Sequence, residues 1–379
     1  MSVTKVTNDC IVDMAASKLT GSMPVIDGSN LTGISAYTQN ASDPAIDTNP
    51  SGGLGTVWVN TTSGEVFSCT DATAGANVWT NVGSGTGNVG GFSLQASISG
   101  YTMGGSRGAA GGSQNIIDKF SFTSDGDATD VGDLTASKSE IAGQSSATHA
   151  YQSGGGPAPK TAIEKFSFSV DGNASIVASL SVGRSGNTGT STETHGYNAG
   201  GESNIDVIDK FVFATDGDAT DVGNLSQGRH GCGGNSSTTH GYASSGYSGG
   251  AQSRIDKYSF SSDGDASNIA TATGRWNIAG SNSTTHGYLS GGYSPPDTNV
   301  IEKFTFASDA NTTDVGDLTS NRNGASGTST ATHGYVAGGT PSNNQGLDHI
   351  EKFTFASDAN STDVGNLTFG RFSPAPAQV

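Results

Sequence analysis

The sequence predicts an all-β protein built from six consecutive repeats, and three observations support that prediction. The phrase "IEKFTF", seen at Ile350, occurs six times with the pattern Ile, acid, Lys, aromatic, any residue, Phe. Glycine supplies 57 of the 379 residues, and only 32% of residues are hydrophobic. Because fixed spacing relates the copies, this composition indicates a repeat architecture rather than disorder. A second phrase, "THGYVAGG" at Thr332, has near-copies that begin at Thr148, Thr194, Thr239 and Thr285.

Each repeat unit is predicted to form four short strands. A Ser/Thr/Gly-rich run such as "GTSTAT" comes first, followed by "HGYVAGG", whose two glycines allow backbone angles closed to other residues. "IEKFTF" alternates with period two, so its phenylalanines share one face of a strand. "SDANTT" has turn composition, and "DVGDL" is the fourth strand. Four strands at this period match the blade of a β-propeller. The lysines that mark the units lie 45 to 49 residues apart, at Lys119, Lys165, Lys210, Lys257, Lys303 and Lys352.

On these motifs the chain resembles the kelch family. The resemblance includes "HGYVAGG", the "IEKFTF" strand and a basic residue that ends each unit, and it covers roughly residues 91–371. The tryptophan usual in the fourth kelch strand is replaced by leucine in five units and by Ala272 in unit four. The resemblance implies a six-bladed kelch-like β-propeller but no particular activity, because this fold serves many functions. The unit-ending basic residues are Lys138, Arg184, Arg229, Arg275, Arg322 and Arg371.

The blades are expected to be contiguous in sequence and to close without exchanging a strand. "FSLQASIS", before Tyr101, supplies the first inner strand, and the tail "FSPAPAQV" is too proline-rich to form a full strand. The second-strand tyrosines are expected to pack between blades. The repeat lysines are expected to form ion pairs with carboxylates of the neighbouring turn or of an adjacent blade.

The residues before the propeller form a separate region. "GTVWVNTTSGEVFSCTDATAGANVWTNVG" predicts a β-meander of three strands with Trp58, Phe67 and Trp79 as its core. The predicted organisation is an extended attachment and oligomerisation segment at 1–54, the β-meander at 55–86, the propeller at 87–372 and a tail at 373–379.

The N-terminal region is similar to segments of tail fibres and appendages of marine or cyanobacterial tailed phages. The similarity lies in "ASKLTGSMPVIDGSNLTGIS", which repeats Leu-Thr-Gly, and in the meander sequence. It implies a virion protein made in the host cytoplasm and attached to other virion proteins through its N-terminal region. It further implies a homo-oligomer, with a trimer as one candidate state. The start "MSVTKVTNDC" shows no secretion signal, as expected for a protein released by lysis.

Composition excludes several classes of partner. The net charge of −17 opposes binding to nucleic acid, because neutralising phosphates requires clustered Lys and Arg. The sequence has no run of about 18 apolar residues, so membrane insertion is not predicted. Cys10, Cys69 and Cys232 lack metal-ligand spacing and form no disulfide framework.

The repeat histidines and the acidic turns raise the question of a metal. Equivalent positions of a propeller lie on a ring and do not converge, so the histidines are interpreted as hydrogen-bonding residues. The acidic turns leave calcium binding open, although ordinary turn chemistry also explains them. Neither a cofactor nor a catalytic constellation is predicted, because no isolated nucleophile with its own base is evident. The five histidines are His149, His195, His240, His286 and His333.

Loop lengths indicate which face of the propeller binds a partner. Only the segment between the second and third strands of each unit varies in length, and variation confined to one loop set marks a binding face. Exposed aromatic and cationic side chains on such loops suit recognition of a glycan or a protein. The candidate binding residues are Arg107, Lys160, Tyr247, Arg254, Tyr293, Asp297 and His349.

The leading hypothesis is a virion structural protein, a tail fibre or appendage, whose propeller recognises the host surface. Two rivals remain open. One is a purely structural decoration or scaffold protein of the virion, and the other is a glycan-degrading propeller enzyme.

Overall fold

The computed structural model describes residues 37–82, 94–108, 111–157, 160–343 and 345–379. In these ranges the chain is all-β, with strands in seven four-stranded sheets. The described residues include no helix with the length and apolar character needed to span a membrane. The chain divides into two compact units, Met1–Gly91 and Phe92–Val379. Most of the predicted attachment segment, residues 1–36, lies outside the described residues.

The N-terminal sheet has the three predicted meander strands and one more. Trp58, Phe67 and Trp79 are buried in its core, and the two indole rings lie 5.9 Å apart in edge contact. The additional strand pairs in parallel with the first meander strand and comes from residues expected to be part of the extended segment. The folded sheet therefore begins before residue 55. Its strands are β1 (Thr38–Asn40), β2 (Val57–Asn60), β3 (Val66–Asp71) and β4 (Val78–Asn81).

The compact body Phe92–Val379 contains six four-stranded sheets, numbered here one to six. Sheet one consists of β5 (Ser99–Met103), β6 (Gln114–Ser121), β7 (Thr129–Lys138) and, from the end of the chain, β28 (Ala375–Gln378). Sheet two consists of β8 (Ala142–Ser145), β9 (His149–Ser153), β10 (Ala162–Ser167) and β11 (Ser175–Ser179), and sheet three of β12 (Thr188–Ser191), β13 (His195–Gly201), β14 (Ile205–Val212) and β15 (Thr220–Asn224). Sheet four consists of β16 (Gly233–Ser236), β17 (His240–Ser244), β18 (Arg254–Ser259) and β19 (Ser267–Thr271), and sheet five of β20 (Ala279–Asn282), β21 (His286–Ser290), β22 (Val300–Thr305) and β23 (Thr313–Asp317). Sheet six consists of β24 (Asn323–Ser329), β25 (His333–Thr340), β26 (His349–Thr354) and β27 (Thr362–Asn366).

The expectation that the repeats close without exchanging a strand is wrong. The tail forms β28, which pairs antiparallel with β5 so that Ala375 lies opposite Met103 and Pro376 opposite Thr102. The described residues of "FSLQASIS" before β5, 94–98, do not supply this strand; Ala96 instead bridges to Thr330. The prolines are tolerated because β28 is an edge strand, which needs hydrogen bonds to one neighbour only.

The six sheets contact one another in cyclic order. The first strand of each sheet contacts the first strand of the next, and β28 contacts both β24 and β8. One backbone N–H of each first strand donates to a side chain of a neighbouring first strand, and the last of these bonds runs from Gln378 to Ser145 at 3.0 Å. The other five donor and acceptor pairs are Ser145 to Ser191, Ser191 to Ser236, Ser236 to Asn282, Asn282 to Ser329 and Ser329 to Gln378.

Glycine lets the first strands approach one another closely. A Cβ at Gly189 would lie 2.2 Å from the carbonyl oxygen of Gly143, and a Cβ at Gly143 would lie 1.8 Å from that of Pro376. Such distances exclude any side chain, so the glycine-rich composition of these strands follows from backbone-to-backbone packing.

Aromatic side chains pack between neighbouring sheets, as expected for the second-strand tyrosines. Tyr151 of sheet two stacks on Phe213 of sheet three with ring centroids 4.5 Å apart. Tyr335 of sheet six lies 4.7 Å from Phe122 of sheet one, so this packing also continues across the chain ends. At about 1.5–3 kcal/mol for each fully buried ring, these contacts supply much of the driving force for folding.

Each unit-ending basic residue is buried and paired with an acidic residue of another sheet. Arg229 donates from Nη1 to Asp256 at 2.9 Å, and both side chains are 0% exposed. Lys138 substitutes for arginine in the first unit and lies 3.0 Å from Glu164. The acids are those of the "IDK" and "IEK" phrases, which the sequence reasoning did not assign to a partner. The remaining pairs are Arg184–Asp209, Arg275–Glu302, Arg322–Glu351 and Arg371–Asp118.

The predicted ion pairs of the repeat lysines are confirmed. Lys210 lies 3.0 Å from Asp263 in the acidic turn of the next sheet. Lys352 pairs with Asp125 of sheet one, so the pattern also connects the last unit to the first. The other pairs are Lys119–Asp171, Lys165–Asp216, Lys257–Asp309 and Lys303–Asp358.

These lysine pairs are solvent-exposed, so each is expected to contribute little stability. The side chain of Lys210 is 22% exposed and that of Asp263 is 48% exposed. Replacing Lys210 with Met should therefore change the free energy of unfolding by less than about 1 kcal/mol. Denaturant titration of the wild type and the variant measures this difference. A loss of several kcal/mol would show that the pair is a main stabilising contact.

Candidate functional site

The loops between the second and third strands of each of the six sheets lie at one end of Phe92–Val379. This end is here called the variable-loop face. The unit-ending basic residues lie at this end because the fourth strand runs toward it. The turns between third and fourth strands lie at the other end, here called the acidic-turn face. The described residues of the six variable loops are 104–108 and 111–113, 154–157 and 160–161, 202–204, 245–253, 291–299, and 341–343 with 345–348.

The predicted cationic binding residues are distributed around this face. The guanidinium of Arg107 lies 4.8 Å from the ring centroid of Phe369. The Nζ of Lys160 lies 3.5 Å from the Glu202 carboxylate. Arg254 opens β18 and makes no salt bridge among the described residues. These three side chains therefore do not form one cationic site.

Two other predicted residues make contacts within the fold. Asp297 is 3% exposed and accepts hydrogen bonds from Asn323 Nδ2 at 2.7 Å and from Ser342 Oγ at 2.6 Å. It ties the loop of sheet five to sheet six, which is a positioning role rather than ligand contact. His349 opens β26, with ring nitrogens 3.9 Å from Asp348 and 3.8 Å from Asp363.

The two predicted tyrosines meet in a line of four rings, here called the aromatic row. Trp276 lies between them, with ring centroids 4.9 Å from Tyr247 and 4.6 Å from Tyr293, both in edge contact. His230 continues the row, 5.4 Å from Tyr247. All four side chains are partly exposed. The row is therefore a continuous aromatic surface across sheets four and five.

Backbone hydrogen bonds between loop segments hold the residues of the aromatic row next to one another. Tyr247 N–H donates to His230 O at 2.8 Å, and Tyr293 N–H donates to Trp276 O at 2.8 Å. His230 and Trp276 each follow a unit-ending arginine, at a position occupied elsewhere by Ser139, Ser185, Asn323 and Phe372. Sequence reasoning did not identify them, although this departure from the repeat was the available signal.

A set of polar side chains, here called the polar cluster, adjoins the row. Lys160 Nζ donates to Ser185 Oγ at 3.1 Å, and Ser185 donates to Glu202. A Cβ at Gly186 would lie 3.0 Å from His230 Cβ and 3.6 Å from Glu202 Cγ, so Gly186 separates the cluster from the His230 end of the row. The Ser185 hydrogen bond, with Lys160, lowers the pKa of Glu202.

Glu140 is the fourth member of the polar cluster and lies at the mouth of a central cavity. Burial, together with the charge of Glu202, raises its pKa. The cavity has a volume of about 100 Å³ and is walled by the first strands of the six sheets. Glu140 is the only charged residue among its described lining residues. The two carboxyl groups therefore differ in proton affinity.

The mouth of the cavity is a ring of backbone hydrogen bonds. Gly186 N–H donates to Glu140 O at 2.9 Å, and Glu140 N–H donates to Ser373 O at 2.9 Å. All six residues have positive φ, which glycine adopts most readily. The ring members are Glu140, Gly186, Gly231, Asn277, Gly324 and Ser373.

The repeat histidines lie near the acidic-turn face and make the same local contact in each unit. His195 Nδ1 lies 2.8 Å from Thr194 Oγ1. The aspartates of the acidic turns either pair with the repeat lysines or accept a backbone N–H of a neighbouring sheet, as Asp218 does from Ser179 at 2.9 Å. Among the described residues, no group of three or more His, Cys, Asp or Glu side chains is placed to hold a metal ion.

The five repeat histidines are expected to make the stability of the protein depend on pH. Burial, followed by the charge of the repeat lysine, lowers the pKa of all five below the usual 6.5. The unfolded chain then takes up protons before the folded one, so stability should fall as the pH is lowered through about 6.5. The melting temperature should drop over this range.

A natural control exists for this pH dependence. Unit one carries Ser99 where the other units have histidine. Replacing all five histidines with serine should flatten the dependence of melting temperature on pH near 6.5. An unchanged slope in that variant would assign the dependence to other groups.

No protein-family model matches this chain, and no curated protein sequence matches it. The kelch and phage-fibre resemblances therefore rest on the sequence motifs quoted above.

Proposed function

We propose that Phe92–Val379 is a six-bladed, kelch-like β-propeller whose variable-loop face binds a partner. Four-stranded sheets repeated at the blade period, contacts in cyclic order and a glycine-lined centre support this architecture. The shared sheet of β5 and β28 joins the two ends of the repeat region.

The proposed function is host-surface recognition by a tail fibre or appendage of a virion. The observation that carries it is the contrast between the two faces. The acidic-turn face repeats the same lysine and aspartate contacts in every unit, whereas the aromatic row and the polar cluster each occur once in the described part of the chain. A single asymmetric patch on a repeated frame is typical of a recognition site.

The N-terminal region is proposed to attach the propeller to other virion proteins. Two stretches of residues 1–86, "ASKLTGSMPVIDGSNLTGIS" and the meander sequence, resemble phage fibre segments. A homo-oligomer attached through this region would present several propellers to one cell. Several weak contacts then combine into useful avidity.

Peptide mass spectrometry of purified virions tests this function. We expect peptides of this chain to co-purify with particles, and antibodies to the propeller to bind intact particles. Recovery from infected-cell lysate but never from particles would contradict the proposal. Recovery from particles whose adsorption is unaffected by such antibodies would favour the purely structural decoration protein.

One observation favours a second candidate function, glycan hydrolysis. Glu140 and Glu202 lie in one cluster, and their pKa values are shifted in opposite directions, as expected for an acid and a base. Glu140 would donate a proton to the leaving oxygen, while Glu202 would take a proton from the water that attacks the anomeric carbon. Release of reducing ends from host polysaccharide, abolished by Glu140→Gln, would support this reaction. No release by the wild type would exclude it.

A further inference from the structure

We propose that the ligand of the variable-loop face is an uncharged glycan chain whose sugar rings lie along the aromatic row. This inference rests on the proposed function of host-surface recognition and narrows its ligand class. The polar cluster lies at one end of the row and would hydrogen-bond sugar hydroxyls.

The chemistry of the row suits sugar rings. Pyranose faces present C–H groups, which are attracted to the electron-rich faces of aromatic rings. The four rings of the row form a continuous partly exposed surface, so more than one sugar unit can make contact. Beside it, Ser248 Oγ lies 3.1 Å from Asn204 Oδ1, which places further hydrogen-bonding groups at the edge.

The charges near the row favour a neutral ligand. Burial lowers the pKa of His230 below 6.5, so its ring is mainly uncharged at pH 7. Lys160 is paired with Glu202, and the chain as a whole carries −17. Arg254 is the remaining cation in sheet four on this face. Near the row, an anionic polysaccharide would therefore meet one described cation without a salt bridge, Arg254, in a strongly acidic protein.

The surroundings of the row favour a glycan over a protein partner. Protein interfaces have a desolvated apolar core. Eight large apolar side chains are exposed among the described residues, and none of them belongs to sheets four or five. The partly exposed rings are instead bordered by serine, glycine and asparagine.

The fluorescence of Trp276 allows binding of sugars at the aromatic row to be measured directly. The chain has three tryptophans, and the other two are buried in the N-terminal sheet. The full-length protein is titrated with neutral tetrasaccharides of glucose, galactose, mannose and N-acetylglucosamine, and with polygalacturonate as the anionic probe. We expect saturable changes in tryptophan emission with at least one neutral probe, insensitive to added salt because no ion pairing is involved.

Matched variants assign the response to the row. Tyr247→Ser combined with Tyr293→Ser should weaken binding about tenfold or more. Phe372→Ser changes the position equivalent to Trp276 in another unit and should leave binding unchanged. Melting temperatures verify that each variant is folded.

Other outcomes overturn the inference. These are no response to any neutral probe at millimolar concentration, a salt-sensitive response to polygalacturonate alone, or stoichiometric binding of a host surface protein to the row. If virion adsorption persists with both tyrosines replaced, the inference fails while the proposed function stands. If the chain is absent from virions yet binds neutral sugars through the row, the proposed function fails and the sugar site stands.

Discussion

Deletion of residues 375–379 is expected to abolish the cooperative unfolding of Phe92–Val379. The deletion removes β28 and leaves β5 with an unpaired edge. It also removes the carbonyl of Val379, which accepts hydrogen bonds from Ser97, Ile98 and Ser99. Without β28, the contact of Tyr335 with Phe122 that joins sheet six to sheet one also loses its support. Calorimetry should therefore show a broadened transition at a much lower temperature than in the wild type.

A milder variant separates closure from loss of side-chain contacts. Gln378 accepts a hydrogen bond from Ser329 at 2.6 Å and donates from its amide to Leu94. Gln378→Ala removes these bonds but keeps the strand, so it should cost about 1–3 kcal/mol and preserve a single transition. If the deletion leaves the calorimetric transition unchanged, β28 does not close the cycle.

Replacing Arg229 with methionine is expected to destabilise the protein by about 3–5 kcal/mol, because it leaves a buried charge without a partner. Arg229 also donates to the carbonyls of Ser245 at 2.7 Å and Ala243 at 2.9 Å. Asp256 retains only the bonds from Ser226 when the guanidinium is gone. Denaturant unfolding measures the loss.

Two controls identify the buried charge as the cause. Arg229→Lys should be the milder change, because Lys138 makes the equivalent pair with Glu164 in the first unit. Arg229→Met combined with Asp256→Leu should recover much of the loss, because no charge is then left buried. If the double variant is as unstable as the single one, packing rather than charge explains the cost.

Repetition explains which parts of the fold could be predicted. Six copies of one phrase predict strands, their periodicity and the lysine pairs, because each copy makes the same contacts. Closure could not be predicted in this way, since β28 resembles no other first strand, contains Pro376 and directly follows Pro374. Proline content indicates a broken strand unless the strand is known to lie at an edge, which only the assembled sheet reveals.

The candidate site shows the same limitation. Loop-length variation leads to Tyr247 and Tyr293, which lie in one row with Trp276. Trp and His each occupy their position in the repeat once, and the place of Trp276 between the tyrosines and of His230 beside Tyr247 depends on pairing across strands. Asp297 has the composition of a loop ligand, but its carboxylate is buried in contacts with Asn323 and Ser342. Residue type and loop position alone do not distinguish these cases.

A natural control for the opposite face comes from the acidic turns. Asp127, Asp218 and Asp265 each accept a backbone N–H of a neighbouring sheet. Asparagine makes the same contact in the other units, at Asn173, Asn311 and Asn360. Changing the three aspartates to asparagine therefore alters the charge of the acidic-turn face while keeping its hydrogen bonds.

Binding of labelled full-length protein to the cells on which the virions grow compares the two faces directly. One variant replaces Arg107 and Arg254 with alanine and Tyr247 and Tyr293 with serine, and the other carries the three aspartate-to-asparagine changes. We expect the first variant to lose most of its cell binding and the second to bind like the wild type, with both folded. Retained binding by the first variant and lost binding by the second would contradict recognition through the variable-loop face.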